Sequence, residues 1–239
     1  MKKICVLGYN GFIGSNVLEV LKQNFSVNES DKYDFLVNCA GFSKMYEGNK
    51  NPDKMRNVED SILEKINGIS FDKIIHLSTI YIEVYPQDVY SRIKVEMEDK
   101  ILSKYENATV LRLGGVLGKG LKKNVVFDLI TNGPLYVTSD SFYNYISAYE
   151  IANIISYLIN NPIAGIINVG SSKSISVADI ANILKKNPIY GNKKETINFD
   201  ISRLQHFYKV GSSREYVEEF YNKTLQGIKS VRHYNEGKK

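Results

Sequence analysis

Apolar positions along this chain alternate between short continuous runs and stretches with a helical period. Ile4–Leu7 is an uninterrupted apolar run and predicts a buried strand. Ile13–Gln23 follows with Ile13, Val17, Val20 and Leu21 on one face, the spacing of an amphipathic helix. Phe25–Val27 predicts a short second strand, Phe35–Ala40 a buried strand and Asn57–Ile66 a helix. Lys73–Leu77 predicts a strand, Val89–Tyr105 a long helix and Thr109–Leu113 another strand. Strands alternating with helices at this spacing predict βαβ units, and hence an α/β fold with a doubly wound parallel sheet.

After about Val126 the pattern changes. A helix at Val125–Thr131 leads to a short strand at Leu135–Val137 and an irregular "TSDSFYNY". A helix at Tyr149–Ile159, a strand at Ile166–Val169 and a helix within "SISVADIANILKK" follow. Ser176, with Asp179 three residues on, is placed to cap that last helix. These pieces are too short for an independent domain. Residues 1–125 therefore read as the sheet-bearing domain, which also receives segments within 145–170. Residues 126–239 read mostly as a small C-terminal lobe over the C-terminal edge of the sheet, where ligands of α/β proteins sit.

With 239 residues and 43% hydrophobic content the chain can bury a full core. No apolar run approaches the roughly 18–20 residues of a membrane span. Met1–Leu7 looks like the start of a signal peptide, but the apolar stretch stops at Gly8 with no small-residue cleavage site. Cys5 and Cys39 sit in apolar runs without regular spacing, which predicts reduced core thiols and a cytoplasmic protein. The three histidines are scattered, so no metal site is expected. The net charge of +5 is mild, with Lys119, Lys122 and Lys123 clustered and a basic tail "VRHYNEGKK". This reads as a solvated surface and a frayed end rather than a nucleic-acid patch, and it suits an anionic small molecule.

Three features carry chemistry. In "ICVLGYNGFIGSNVLEVL", Gly8, Gly11 and Gly14 stand at the junction of the first strand and first helix. Glycine in a helix interior costs about 1 kcal/mol relative to alanine. A tight turn, a backbone approached by a pyrophosphate and close helix–strand packing each explain it there; the spacing is G-x-x-G-x-x-G rather than G-x-G-x-x-G. Tyr90 and Lys94 are four apart on a predicted helix and so face one site. A lysine beside a tyrosine lowers the phenol pKa and makes it an acid/base near neutral pH. Ser78-Thr79 ends the strand "KIIHLST" and offers a hydroxyl either to a substrate oxygen or to a local cap.

Together, in this order, the three resemble the short-chain dehydrogenase/reductase superfamily, in its extended branch of sugar-nucleotide epimerases, dehydratases and reductases. "GYNGFIGSNVLEVL" resembles the dinucleotide fingerprint, "DFLVNCAG" the strand lining the cofactor, and "RNVEDSIL" the helix carrying the family's Asn-Val. "VLRLGGVLGKG", "NYISAYEIANII", "INVGSSKSISVADIANIL" and "DISRLQHF" are similar to later segments of that branch. The resemblance implies a Rossmann-type fold, Tyr90 as catalytic acid/base, and Lys94 as its partner and the holder of the nicotinamide ribose. Thr79, with Ser78 as the alternative, would polarise the reacting carbonyl or alcohol; "STIYI" most resembles the dTDP-4-dehydrorhamnose reductases and favours Thr79. The same resemblance assigns Gly8, Asn10, Gly11, Phe12, Ile13, Gly14, Cys39, Ala40, Gly41, Asn57, Leu77, Leu113 and Val116 to the coenzyme. Ser78, Lys122, Tyr136 and Tyr143 fall on the substrate side.

Four departures qualify it. Only about a dozen residues separate Gln23 from Asp34, so an edge strand of the sheet is expected to be missing, and with it part of the adenine pocket. Glu29 is the nearby carboxylate for a ribose diol and no arginine is present, which favours NAD over NADP. Eleven positions separate Thr79 from Tyr90, fewer than is usual in the branch. Tyr143-Asn144 replaces the usual Arg-Asp, leaving Lys119, Lys122 or Lys123 to meet a diphosphate, and Gly115 replaces an asparagine. The expected activity is an NAD(P)-dependent reduction of a nucleotide-linked 4-keto-sugar. An epimerase is the alternative, and a non-catalytic dinucleotide sensor or scaffold the alternative of another class. Ile93, Met97 and Ile101 give the Val89–Tyr105 helix a second apolar face, and the resemblance implies a homodimer through it.

Overall fold

The computed structural model describes residues 1–236, with side chains to residue 224; the side chains of the basic tail lie outside the described residues. The first half of the chain runs β1 (Lys3–Leu7), α1 (Phe12–Leu21), β2 (Ser26–Val27), β3 (Lys32–Asn38), α2 (Met45–Lys50) and α3 (Pro52–Asn67). β4 (Ser70–Thr79), α4 (Tyr81–Val84), α5 (Val89–Lys104) and β5 (Thr109–Leu113) complete it. The second half runs β6 (Gly115–Leu117), α6 (Val125–Thr131), β7 (Phe142–Tyr143), β8 (Tyr145–Ser147), α7 (Ala148–Asn160) and β9 (Gly165–Val169). β10 (Ile175–Ser176), α8 (Val177–Ile183), α9 (Ser202–Gln205) and α10 (Ser213–Glu236) end it.

Six strands form one parallel sheet in the order β2-β1-β3-β4-β5-β9. Alternate side chains leave a strand on opposite faces, and both faces of this sheet are covered. Val6, Val37, Ile75, Leu77 and Leu111 pack with α1, α7 and the lobe. Leu36 and Ile74 pack on the other side with Ile62 and Ile66 of α3 and Met97 and Ile101 of α5. The sheet is therefore doubly wound, and β9 returns from the second half of the chain to pair with β5.

The shortened edge is present as expected. β2 pairs with β1 over two residues, and among the described residues no strand lies beyond it. Asn28 then turns into the left-handed region (φ 59°), and its side-chain oxygen accepts the Val6 amide at 2.7 Å. One side chain thus meets a β1 amide that a longer β2 would have paired.

Ile93, Met97 and Ile101 are at most 2% exposed. The apolar face that suggested a dimer seam is filled by the chain's own sheet and α3. Outward, α3 and α5 are joined by Arg56–Glu96 and Lys100–Asp60 ion pairs.

The lobe is small and irregular. Leu135–Val137 is not a strand: Val137 makes a single bridge to Lys193, and Tyr136 between them points into solvent at 75% exposure. Ser176 does cap α8, accepting the Asp179 amide at 3.0 Å while its hydroxyl donates to the Asp179 carboxylate at 2.7 Å.

Candidate active site

The first crossover is built on close backbone approach. Gly8 has φ +81°, and a Cβ there would lie 2.6 Å from the Ala40 nitrogen. A Cβ on Gly14 would lie 2.1 Å from the Gly8 carbonyl oxygen. Packing alone therefore requires glycine at both positions. Gly11 is different, since its nearest neighbour would be 3.2 Å away. It is the N-cap of α1, with no side-chain cap and no acidic residue in the first turn. The amides that open α1 thus keep their donors for an anion. Asn10 is exposed at the rim of this turn, and Phe12 and Ile13 are half-buried beside it.

β3 leads to the neighbouring wall. Cys39 donates its amide to Leu7 at 2.9 Å, and burial pushes its thiol up to about 12, which keeps it protonated. Asn38 is fully buried; its side-chain oxygen accepts the Ala40 amide at 3.1 Å, which turns its NH2 toward His76 Nδ1 at 2.9 Å. That fixes His76 as the neutral tautomer with its proton on Nε2. Burial, aided by the Lys94 charge, holds the His76 pKa down to about 3.

Tyr90 and Lys94 share the inward face of α5 as their spacing predicts, and both are buried. Asn49 of α2 accepts the Tyr90 amide at 2.8 Å and donates to Asp88 at 2.9 Å, so a neighbouring helix caps the start of α5. The phenol donates to the Phe42 carbonyl at 3.2 Å. The Lys94 ammonium is bound to Glu59 at 2.5 Å, with the two side chains only 6% and 4% exposed. Glu59 also accepts the Phe42 amide at 2.9 Å, while its second oxygen is buried without a partner. A Cβ on Gly41 would lie 3.0 Å from the ammonium, so Lys94 reaches the backbone that follows β3.

One expectation is reversed here. Lys94 does not lower the Tyr90 pKa. Burial first, and then the Glu59 carboxylate, hold the phenol well above its usual range. The lysine charge is already matched by a carboxylate, and the phenol sees a pair rather than a lone cation.

Thr79 ends β4 and accepts the Tyr81 amide at 3.2 Å; Tyr81 packs into the cluster of Tyr90, Ile93 and Met55. Ser78 is buried, and its hydroxyl has no partner. Leu77 and Leu113 are buried under this edge, and Val116 is half-buried in β6. Gly115 has no room for the family's asparagine, because a Cβ would meet the Tyr145 ring at 2.6 Å. Asn144 is a buried structural residue that exchanges hydrogen bonds with Ser171 at 3.0 and 2.7 Å.

On the lobe side, Tyr143 donates to Glu195 at 2.5 Å, and Lys193 pairs with the same carboxylate. Burial and that carboxylate raise the Tyr143 pKa, and burial pushes Tyr81 up to about 12. Lys123, not Lys122, crosses to the loop after β3, where it donates to the Ser43 carbonyl. Lys122 and Tyr136 are exposed.

The structure thus gathers Gly8, Gly11, Gly14 and Ala40 at one turn, and Gly41, Tyr90 and Lys94 at the next. Asn57 is not among them. It lies on the exposed face of α3 with Lys54 and Ser61, because Met55, Glu59, Ile62 and Ile66 form the inward stripe. Glu59 was the residue to notice: a carboxylate at a position whose helical neighbours on that stripe are all apolar.

A parallel sheet with this glycine turn and a Tyr-x-x-x-Lys helix beside the end of a central strand defines the extended short-chain dehydrogenase/reductase class. Within it, the chain belongs to the family described as RmlD substrate binding domain, whose model matches residues 25–198. No curated protein matches the chain by sequence. Among solved structures, RMD from Pseudomonas aeruginosa complexed with NADPH is similar at 13% identity and TM-score 0.75, over 94% of this chain and 100% of that one. A UDP-N-acetylglucosamine 4-epimerase from Methanobrevibacter ruminantium, in complex with UDP-N-acetylmuramic acid, is similar at 16% and 0.75, over 95% and 99%. A dTDP-4-dehydrorhamnose reductase from Clostridium acetobutylicum is similar at 17% and 0.73, over 94% and 99%. At these identities the likeness is one of fold.

Proposed function

We propose that the protein is an NAD(P)-dependent oxidoreductase acting on a nucleotide-linked sugar, as a 4-keto-sugar reductase. The observation that carries this reading is a buried phenol, Tyr90, held as a proton donor near Lys94 and packed in one cluster with Tyr81, whose amide Thr79 accepts, in a chain of the RmlD substrate-binding family. Gly8, Gly11 and Gly14 with the open amides of α1 suit a pyrophosphate, and Ala40 and Gly41 flank that turn on the side of Lys94. Lys94 keeps two of its three donors beyond Glu59 for ribose hydroxyls. A bound dihydronicotinamide would supply the hydride. Thr79 would hydrogen-bond the carbonyl oxygen, and Tyr90 would give it a proton as negative charge develops there.

The substrate's sugar would lie against Tyr143 and Glu195, and its diphosphate near Lys123 and Lys119. Glu29, just beyond β2 with no arginine beside it, favours NAD over NADP. A 4-epimerase is the second reading, supported by the fold shared with the M. ruminantium enzyme. A dinucleotide sensor or scaffold is the reading of another class, and the two-residue β2 supports it. Among the described residues no helix is long and apolar enough to cross a membrane. The free thiols Cys5 and Cys39 support a place in the cytoplasm. Because Ile93, Met97 and Ile101 are spent on the core, a homodimer would have to form through the outer face of α5, which sedimentation at micromolar concentration tests.

The test of function is a panel of 4-keto nucleotide sugars with NADH and NADPH, read by loss of absorbance at the nicotinamide band. The wild type should turn over, while Tyr90→Phe should lose turnover and keep coenzyme binding. A wild type that reduces none of the panel but epimerises a nucleotide sugar would replace the first reading by the second. Coenzyme binding without either reaction would leave the sensor.

A further inference from the structure

Glu59 has no part in the reading above, yet it is the carboxylate most enclosed beside Tyr90 and Lys94. It sits on α3, 35 residues before Lys94 in sequence, and reaches the site only because α3 packs against α5. A buried charge without a partner is strongly unfavourable, and a buried pair is near neutral overall. Glu59 therefore decides what Tyr90 sees. With Glu59, the ammonium four residues along α5 is half of a neutral pair; without it, the phenol would face an unmatched cation.

The loop after β3 couples the two groups directly. The Phe42 amide donates to Glu59 at 2.9 Å, and the carbonyl of the same residue accepts the Tyr90 hydroxyl at 3.2 Å. A phenol that donates to a carbonyl is stabilised in its protonated form, because a phenolate has no proton to give. The side chains packed directly on Tyr90 are uncharged, and the other cation on the Phe42 loop, Lys123, is held on the Ser43 carbonyl. α4 contributes Tyr81, itself a neutral phenol, and α2 contributes Gly48 and Asn49. Lys94 lies 5.9 Å from the Tyr90 ring centroid, with Glu59 as its ion-pair partner.

We infer that Glu59 is a positioning residue that neutralises Lys94, anchors the Phe42 loop and so holds Tyr90 as a phenol, fitting the site to reduction rather than to oxidation. This deepens the reductase reading and rests on it for the direction of reaction. In reduction the carbonyl carbon would take hydride from a bound dihydronicotinamide, and the π pair would move to the oxygen. The O–H bond of Tyr90 would break to protonate that oxygen, and the phenolate would take a proton back from solvent. Oxidation needs the phenolate at the outset. A 4-epimerase must begin by oxidising, so a site that stores the proton on Tyr90 is poorly prepared for it.

The experiment reads Tyr90 itself, without coenzyme. Protein labelled with 13C at the tyrosine ζ carbon is titrated by NMR, the Tyr90 resonance being the one missing from Tyr90→Phe. In the wild type the phenol should stay protonated to about pH 10 or beyond, the ordinary tyrosine pKa being about 10. In Glu59→Gln its midpoint should fall by about one unit or more, as a lone ammonium comes to face it. A wild-type midpoint below about 9, or a midpoint unmoved in Glu59→Gln, overturns the inference. If Glu59→Gln does not fold, Glu59→Leu with Lys94→Met removes both charges. Tyr90 should then stay protonated as in the wild type, and a fall of more than about one unit there overturns the inference as well. Absence of turnover with keto-sugars counts against the reductase reading alone, since the titration needs neither substrate nor coenzyme.

Discussion

Lowering the pH from 7.5 to 4.5 should destabilise the protein by about 3 kcal/mol through His76 alone. The ring is 1% exposed and accepts a hydrogen bond from Asn38 on Nδ1, so protonation would remove an acceptor and bury a charge beside Lys94. Its pKa is lowered from 6.5 to about 3 in the folded protein, chiefly by burial and then by Lys94. A group whose folded pKa is depressed binds its proton more readily when unfolded. The stability it supports is complete above pH 6.5 and is lost progressively as the pH falls toward 3. At pH 4.5 the gap to 6.5 is two units, and each unit is worth about 1.36 kcal/mol. The assay is urea denaturation of wild type and His76→Gln at both pH values. The exposed carboxylates titrate alike in both proteins and cancel in the comparison. The wild type should lose about 3 kcal/mol more than the variant between the two pH values. Equal losses, or an imidazole that titrates near 6.5 in the native protein by NMR, would refute the assignment of a buried neutral tautomer.

Two further substitutions test the frame around the site. Arg112 grips Glu98, which is 1% exposed, through Nε at 3.1 Å and Nη2 at 2.6 Å. Glu98→Gln leaves the guanidinium only its half-exposed partner Glu83 and weakens its hydrogen bonds to residue 98, which should destabilise by about 2–3 kcal/mol in chemical denaturation, whereas Glu98→Leu with Arg112→Met should recover most of it. Asn49→Ala removes the acceptor of the Tyr90 amide and should lower stability by about 1 kcal/mol, read as a lower melting temperature.

The sheet was legible because its strands are continuous apolar runs, and its helices carry their apolar residues at the helical period. Phe35–Ala40 and Lys73–Leu77 read as buried strands on those grounds; β4 contains the second, and β3 the first as far as Asn38. The missing edge strand was legible from a shortage of residues, which no side-chain pattern can disguise. The lobe was less so. β7, β8 and β10 are two or three residues long, below the length at which a period exists, and "LYV" looks like a strand although it makes one bridge to Lys193. In the site, the four-residue spacing of Tyr90 and Lys94 revealed that they are neighbours. It could not reveal the third charge, because Glu59 arrives from another helix. Reading α3 through Asn57 drew attention to its exposed face. The lone carboxylate on its apolar stripe was the stronger signal.

Arg112 also ties together more than a stability test suggests. From β5 it reaches Glu98 on α5 and Glu83 on α4, and Glu83 in turn accepts from Asn168 on β9. The helix that carries the phenol, the turn that follows the threonine and the far edge strand of the main sheet are thereby locked into a single block. Any opening of the lobe has to hinge outside that block, along the irregular chain beyond Gly118, because the Gly114 and Gly115 amides are bonded to Val169 and Asn144. An intact Arg112 network would let the lobe shift without moving Tyr90 relative to β4 and β5.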